Sequence, residues 1–323
     1  MNVDFCNSKA YLIDSKDLKE KVYVECESLF GCSLRRDNFP GPQPVTIEKK
    51  NLPLKEKYMV CEKSDGERGL LLLLQINTKS MCFMLNRKNE LYFMDFSFKK
   101  EVFEGSVFDG EMIQTKGENP VWHFLIHDCF VYNGTSFINK PHNLRYACGI
   151  DFIVKRYNPR EETDPFLIKT KIFYEYGPEI TKTWDHIQKT SEHKIDGLIL
   201  TPVDNPVLFT RDNTLFKWKE THTIDFFAKI VGKKMNLYYY KKVLSVYVSF
   251  KKESKNYTAI VDFVGENVDL LKGAVIEFKI LDDYYEPYRL RKDKNRPNGE
   301  ITVNNTFKNI QESIKISELY LKE

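Results

Sequence analysis

The stretch Glu62-Lys63-Ser64-Asp65-Gly66-Glu67-Arg68 decides how this chain reads. It lies between two β-like runs, Lys57–Glu62 and Gly69–Ile76, so Lys63 stands at a strand end and Asp65-Gly66 at a turn. Lys, Asp and Gly commonly share a hairpin turn, and taken alone the stretch fits that bland reading. A lysine at a strand end can instead attack the α-phosphorus of a nucleotide, provided it is the neutral amine. Neighbouring cations and a metal would favour that form by opposing the ammonium. Arg68, a few residues on, can bind a ribose or phosphate oxygen.

Outward from this stretch the chain is dense in short apolar runs. Met81–Leu85, Leu91–Phe96, Val107–Gln114 and His123–Tyr132 are bounded by Gly, Asn and Lys, the signature of an antiparallel sheet. Upstream, Lys16–Phe30 has the charge mix and spacing of a surface helix ending near Gly31, and Phe39-Pro40-Gly41-Pro42-Gln43-Pro44 is a rigid connector. Downstream, a helix is expected at Pro178–Thr190 and strands at Gly197–Thr201 and Leu215–Trp218.

After Asp225 the texture changes. Phe226–Val231, Met235–Tyr240, Val243–Phe250, Tyr257–Val264 and Ala274–Ile280 read as strands with little helix between them, which fits a small OB-type barrel. Phe307, Ile310 and Ile314 have helical spacing, with Asn305 or Thr306 as N-cap. The expected fold is α+β, with antiparallel sheets in a first domain over 1–225. A hinge near 222–228 leads to an OB-fold barrel with a C-terminal helix over 226–323.

Bulk properties narrow the classes. The chain has 323 residues, 42% hydrophobic and 14% aromatic, enough for two globular domains. Its net charge of +3 neither demands nor excludes nucleic acid, so any such contact must be local. The seven cysteines form no CxxC and the six histidines no HExxH, and His123 and His127, though spaced HxxxH, lie on a β-like run where they stand about 13 Å apart, which argues against a His/Cys metal site. No signal peptide is visible, and the longest apolar run, Leu70 to Leu74, is too short to span a bilayer. A soluble intracellular protein without membrane contact is expected, its compartment (viral or nuclear) left open.

Further elements follow the first in a fixed order: Leu85-Asn86-Arg87, Gly105-Ser106-Val107-Phe108-Asp109-Gly110-Glu111, Ile195-Asp196-Gly197-Leu198-Ile199, Leu215-Phe216-Lys217-Trp218-Lys219, and Tyr285-Glu286-Pro287-Tyr288-Arg289-Leu290-Arg291-Lys292-Asp293-Lys294. Two lysines alternating about Trp218 point to one face of a strand. Each segment alone fits a surface turn or a solvated charge cluster. In this order they resemble the covalent nucleotidyltransferases, the superfamily of capping enzymes and ATP-dependent ligases. Within it the chain is most similar to mRNA guanylyltransferases of large DNA viruses such as chlorella virus, from about Phe39 to Leu319. Such enzymes carry WxxxRxRxDK in the last segment; here Tyr285 replaces the Trp and keeps an aromatic.

The resemblance implies roles. Lys63 would be the nucleophile, with Glu62, Asp65, Gly66, Arg68 and Arg87 as nucleotide contacts. Glu111 would take a ribose hydroxyl or help hold a metal, Asp109 would support a turn, and Asp196 would direct the metal. Two carboxylates near a triphosphate suit Mg²⁺ or Mn²⁺. Ile199 would wall the base, Lys171 or its neighbour Lys169 would read guanine, and Lys217 and Lys219 would neutralise the α-phosphate. Arg291, Asp293 and Lys294 would orient the β- and γ-phosphates of GTP. The implied reaction loads GMP from GTP onto Lys63 and passes it to a 5′-diphosphate RNA end as a GpppN cap. RNA triphosphatase and cap methyltransferase steps, for which no motif appears, would fall to separate proteins.

Two rivals stand beside this reading. An ATP-dependent polynucleotide ligase uses the same lysine with AMP, and Glu67 suits it, since KxDGER occurs among ligases. Against it stand the RxDK ending and the His222-Thr223-Ile224-Asp225-Phe226 segment usual in capping enzymes. A non-catalytic RNA-binding module would use Lys233-Lys234, Lys241-Lys242, Lys251-Lys252 and Tyr238–Tyr240 for charge and stacking.

Overall fold

The computed structural model describes residues 9–96, 98–231, 234–241, 246–249, 269–280, 285–291 and 294–320. Contacts divide the chain into two units. One comprises Met1–Ile47, Asn51–Trp218 and Ile316–Glu323; the other comprises Glu48–Lys50 and Lys219–Lys315.

The first unit opens with β1 (Ala10–Leu12) and α1 (Lys16–Phe30). The Ser15 side chain accepts the Leu18 N–H at the helix start. At its end Gly31, with φ +68°, donates its N–H to the Glu27 carbonyl, a left-handed cap that glycine adopts without a steric penalty. β2 (Gln43–Thr46) and β3 (Tyr58–Ser64) follow. Next come β4 (Glu67–Ile76), β5 (Lys79–Asn86), β6 (Leu91–Met94), β7 (Ser106–Gln114), β8 (Trp122–Tyr132) and β9 (Thr135–Ser136). The unit continues through α2 (His142–Lys155), β10 (Leu167–Thr170), β11 (Tyr174–Glu175), α3 (Ile180–Thr190), β12 (Ile195–Pro202) and β13 (Arg211–Lys219).

These strands form two sheets, one in the order β1-β6-β5-β4-β7-β8-β10 with β9 on β8, the other β11-β3-β12-β13-β2. Most pairings are antiparallel. The parallel pairs, β10 on β8 and β2 on β13, are joined by long connections, as parallel pairing requires. β3 and β4 belong to different sheets, so Asp65-Gly66 is a crossing from one sheet to the other and not a hairpin turn.

The leucine run explains why the larger sheet forms. Leu71 and Leu73 face one core with Met84, Phe108, Phe124 and Phe152; Leu70, Leu72 and Leu74 face another with Val22, Phe30, Phe83 and Phe130. Successive strand residues point to opposite faces, so a strand covered on both sides needs unbroken apolar sequence. α1 covers one face through Val22, Tyr23, Cys26 and Phe30, and α2 the other through Cys148 and Phe152. Each buried leucine contributes roughly 1.5–3 kcal/mol.

Sequence reading did not anticipate α2. Its buried face carries His142 and Arg145 beside Cys148, Gly149 and Phe152, which breaks the apolar period. Arg145 donates Nε to Asp128 at 2.8 Å and NH1 to the Lys140 and Asn205 carbonyls at 2.6 and 3.0 Å.

The second unit is strand-rich: β14 (Thr223–Val231), β15 (Lys234–Lys241), β16 (Val246–Ser249), β17 (Ala274–Ile280) and β18 (Tyr285–Leu290). They pair antiparallel in the order β16-β15-β14-β17-β18 around Ile224, Phe226, Leu237, Ile276, Phe278 and Tyr285. The strand expected at Tyr257–Val264 lies outside the described residues, as does part of Val243–Phe250. Three readings change. Residues 223–228, expected in a hinge, lie in β14; Tyr285–Leu290, which its charges alone would make a solvated loop, is a strand; and the last helix, α4 (Glu300–Glu312), starts after Gly299 and not near Thr306. Val303, buried in this core, anchors the earlier turn.

Candidate active site

In the smaller sheet of the first unit β3, β12 and β13 lie side by side. Ser64 pairs with Ile195 and Glu62 with Leu198, with a bulge between, so Lys63 lies against Asp196-Gly197. Lys63 Nζ donates to Asp196 Oδ1 at 2.7 Å, the two side chains 22% and 31% exposed. The Asp65 N–H donates to the Lys194 carbonyl at 2.9 Å, which ties the motif to the strand carrying Asp196. Ile199 is half-buried on β12 opposite Cys61. On β13, Lys217 and Lys219 are half-buried on either side of buried Trp218, which meets Trp184 edge-on at 5.4 Å.

The larger sheet begins where the motif ends. Arg68 on β4 sits opposite Glu111 on β7. A Cβ on Gly66 would fall 2.3 Å from the Met112 carbonyl oxygen and 2.9 Å from Glu111 Cγ. The glycine is therefore demanded by the close approach of the turn to β7, whatever a nucleotide requires there.

Arg68 differs from its sequence expectation. Its Nε donates to Asp109 Oδ1 at 2.9 Å, its NH2 to Asp109 Oδ2 and its NH1 to the Pro42 carbonyl. The guanidinium also stacks on Phe39 at 5.1 Å. The fork expected to reach a ribose or phosphate thus grips its own sheet. Asp109 supports no turn; it is fully buried in mid-strand, with His127 Nε2 at 3.3 Å. Burial pushes its carboxyl up, but Arg68 and His127 outweigh burial and hold it well below the usual range. Asp109→Ala leaves a buried guanidinium without its counter-ion, so urea melts should show a stability loss of about 3–5 kcal/mol.

Behind Lys63 lies a polar cluster. Lys171 Nζ donates to the Glu62 carbonyl at 3.0 Å and to Ser64 Oγ at 2.9 Å, and lies 3.6 Å from Glu62 Oε1. His193 Nε2 is 2.9 Å from Ser64 Oγ and 3.7 Å from Glu62 Oε1. Burial acts against the Lys171 charge, yet Glu62, Cys61 and Glu111 raise its pKa overall, so it remains an ammonium. Burial lowers the His193 pKa despite Glu62, which favours neutral imidazole accepting the Ser64 hydroxyl proton. Of the two lysines left open, Lys171 is the interior one; Lys169 is exposed, 3.6 Å from Glu192. Ser64 and His193 were missed because neither has a spacing that marks it.

Arg87 is on an exposed turn after β5, and not in a pocket-lining strand. Its neighbour Asn86 pairs with Gly69, which puts that turn at the Arg68 end of β4. In the second unit Arg291 and Lys294 both reach Asp225, while Asp293 lies outside the described residues. Among the described residues no group of three or more His, Cys, Asp or Glu side chains could hold a metal ion. Asp196 lies on β12 and Glu111 on β7, strands of different sheets. No helix among the described residues is long and apolar enough to cross a membrane.

Comparison with known proteins gives the family of the chain. The family "mRNA capping enzyme, catalytic domain" matches residues 9–221, and "mRNA capping enzyme, C-terminal domain" matches residues 207–320. The mRNA-capping enzyme subunit alpha of Kluyveromyces lactis is 33% identical over 224 residues, 59% of this chain and 47% of that protein. The subunit alpha of Schizosaccharomyces pombe is 27% identical over 326 residues, 89% of this chain and 80% of that protein. The mRNA-capping enzyme of Mus musculus is 26% identical over 225 residues, 65% of this chain and 37% of that protein. The chain spans about half the length of several curated relatives it matches, 47% of one and 48% of another. With both domain families matched in order and the motif strands β3, β12 and β13 adjacent, the chain belongs to the mRNA capping enzyme family.

Proposed function

We propose that this chain is an mRNA guanylyltransferase that carries GMP on Lys63 and delivers it to a 5′-diphosphate RNA end. The observation that carries the reading is the Lys63 amine, partly exposed and held 2.7 Å from Asp196, with Lys217 on the next strand. The amine lone pair attacks the α-phosphorus of GTP, the bond to the β-phosphate oxygen breaks, and pyrophosphate leaves with that electron pair. The nitrogen loses its proton, for which Asp196 is the acceptor at hand, and a lysyl-GMP phosphoramidate remains. A terminal phosphate oxygen of the RNA then attacks the same phosphorus, the P–N bond breaks, and the Lys63 amine is regenerated. Lys217 and Lys219 neutralise charge on the α-phosphate, which is where positioned cations contribute most to phosphoryl transfer.

A divalent cation, Mg²⁺ or Mn²⁺, would be held by Asp196 and Glu111 and supply charge neutralisation on the phosphates. The buried Lys171–Glu62–Ser64–His193 cluster supports a polar wall able to reject a base that leaves it unpaired. RNA triphosphate hydrolysis and cap methylation are left to separate proteins. The likeness to capping enzymes of large DNA viruses rests on motif spacing alone, and the fungal and mouse relatives lend it no support.

Incubation with radiolabelled GTP or ATP and a divalent ion, followed by a denaturing gel, tests the reading. A protein–GMP band released by added diphosphate RNA is the expected result. A protein–AMP band without a GMP band would make the chain a ligase-type enzyme.

A further inference from the structure

Two free thiols meet in the core on the α2 side of the larger sheet. Cys129 on β8 is fully buried and Cys148 on α2 is 9% exposed, both in one apolar cluster with Phe108, Ile126 and Phe152. Their side chains are hydrogen-bonded to one another. Each sulfur also lies near a carbonyl, Cys129 Sγ 3.3 Å from the Val131 oxygen and Cys148 Sγ 3.4 Å from the Leu144 oxygen. Thiols are weak donors, so giving up their protons here costs little hydrogen bonding.

The surroundings brace helix against strand at this point. Asp128 accepts Arg145 Nε at 2.8 Å and NH2 at 2.9 Å, and its Oδ1 also accepts the Cys129 N–H at 2.7 Å. One carboxylate thus fixes α2 and the Cys129 backbone together. Next to Cys148, a Cβ on Gly149 would fall 3.1 Å from Ile126 Cγ2, so the glycine lets the helix run close against β8. A disulfide forms only where two Cα atoms come within about 7 Å, and close approach of this kind is what brings them there.

The two sulfurs differ in character. Burial pushes the Cys129 thiol well up, so it keeps its proton. The hydrogen bond from Cys129 lowers the Cys148 thiol, against burial and the nearby Asp151 and Asp128. The less buried sulfur is therefore the better nucleophile, with the deeper one placed to react after it.

We propose that Cys148 and Cys129 are a peroxide-oxidisable dithiol that closes to a disulfide between α2 and β8. The Cys148 thiolate attacks one oxygen of a hydroperoxide, the O–O bond breaks, and the other oxygen leaves with the electron pair and takes up a proton. The Cys129 sulfur then attacks the sulfenic sulfur on Cys148. The S–S bond forms, the S–O bond breaks, and the hydroxyl leaves as water with the Cys129 proton. Two thiols are oxidised by two electrons and the peroxide is reduced by two. Lys63 takes no part, so the proposal stands apart from the guanylyltransferase reading.

The test treats the whole reduced chain with hydrogen peroxide, quenches it, and alkylates the unfolded protein for peptide mapping. The expected product has lost two hydrogens, with its Cys129 and Cys148 peptides joined until dithiothreitol separates them. Thermal unfolding of the oxidised chain should shift upward by on the order of 5 °C, because the bridge closes a loop in the unfolded state. Cys129→Ser removes the second thiol, so Cys148 should go on to sulfinic acid, whereas Cys148→Ser should leave Cys129 reduced at the same dose. Mapping of the wild-type chain decides the matter even where a variant fails to fold. Both thiols still alkylated after a dose that oxidises free cysteine would overturn the proposal. So would a wild-type Cys148 that ends as sulfinic acid beside reduced Cys129, or a bridge from either sulfur to another cysteine.

Discussion

Lys63→Ala is expected to give a folded chain that takes up no label from GTP. The reaction needs a nitrogen lone pair on phosphorus, and alanine offers none, so adduct formation should fall by more than about 10⁴-fold, the scale seen when a covalent nucleophile is removed. Lys63→Arg should fail almost as completely, because a guanidinium stays protonated and does not attack. Folding should survive both changes. Lys63 is partly exposed at a strand end, and its ion pair with Asp196 is only partly shielded from water, so its net contribution is on the order of 0–1 kcal/mol. Thermal melts beside the labelling assay separate the two effects. An unfolded Lys63→Ala chain would mean that the Lys63–Asp196 contact is a structural requirement.

The second large effect is expected at Asp196. Its carboxylate is 2.7 Å from the reacting nitrogen, on the strand next to Lys63, and it is the carboxylate proposed to meet the metal and to take the amine proton. Asp196→Ala removes all of these at once, and adduct formation should fall about 10²–10³-fold, the range for loss of one preorganised electrostatic group. Asp196→Asn keeps an acceptor for Lys63 but no charge, and should recover little of the loss. Single-turnover labelling at saturating GTP gives the number. Equal rates for Asp196→Asn and wild type would show that charge at this position does not matter, and the metal and proton roles would move elsewhere, Glu111 first.

Much of the site was legible because its chemistry lies on strands, where period and order can be read. Lys63, Asp196 and Lys217 are far apart in sequence yet stand on three neighbouring strands, and Lys63 and Asp196 are in contact. The leucine run of β4 announced a central strand, though only the structure revealed that α1 and α2 cover its two faces. What failed had physical causes. α2 hid because Arg145 and His142 occupy its buried face, satisfied by Asp128 and backbone carbonyls that no local pattern foretells. The Arg68–Asp109 pair went unread because a sequence gives no sign of which carboxylate stands across the sheet. Taken by its charges alone β18 reads as a solvated loop, because they are paired across strands, Arg289 with Glu277, and not along the chain. His193 carries no spacing signal at all; its contacts with Ser64 and Glu62 are ones that folding alone creates.

The measurement that bears most directly on the account is to locate the nucleotide on the protein. After incubation with GTP and a divalent ion, the chain is digested under neutral to alkaline conditions, which spare a P–N bond, and its peptides are sequenced by mass spectrometry. The account expects one guanylate, on the Lys63 side-chain nitrogen, lost in acid and lost again when diphosphate RNA is added. Guanylate on any other residue, or a Lys63 peptide that stays unmodified while the protein caps RNA, would contradict it.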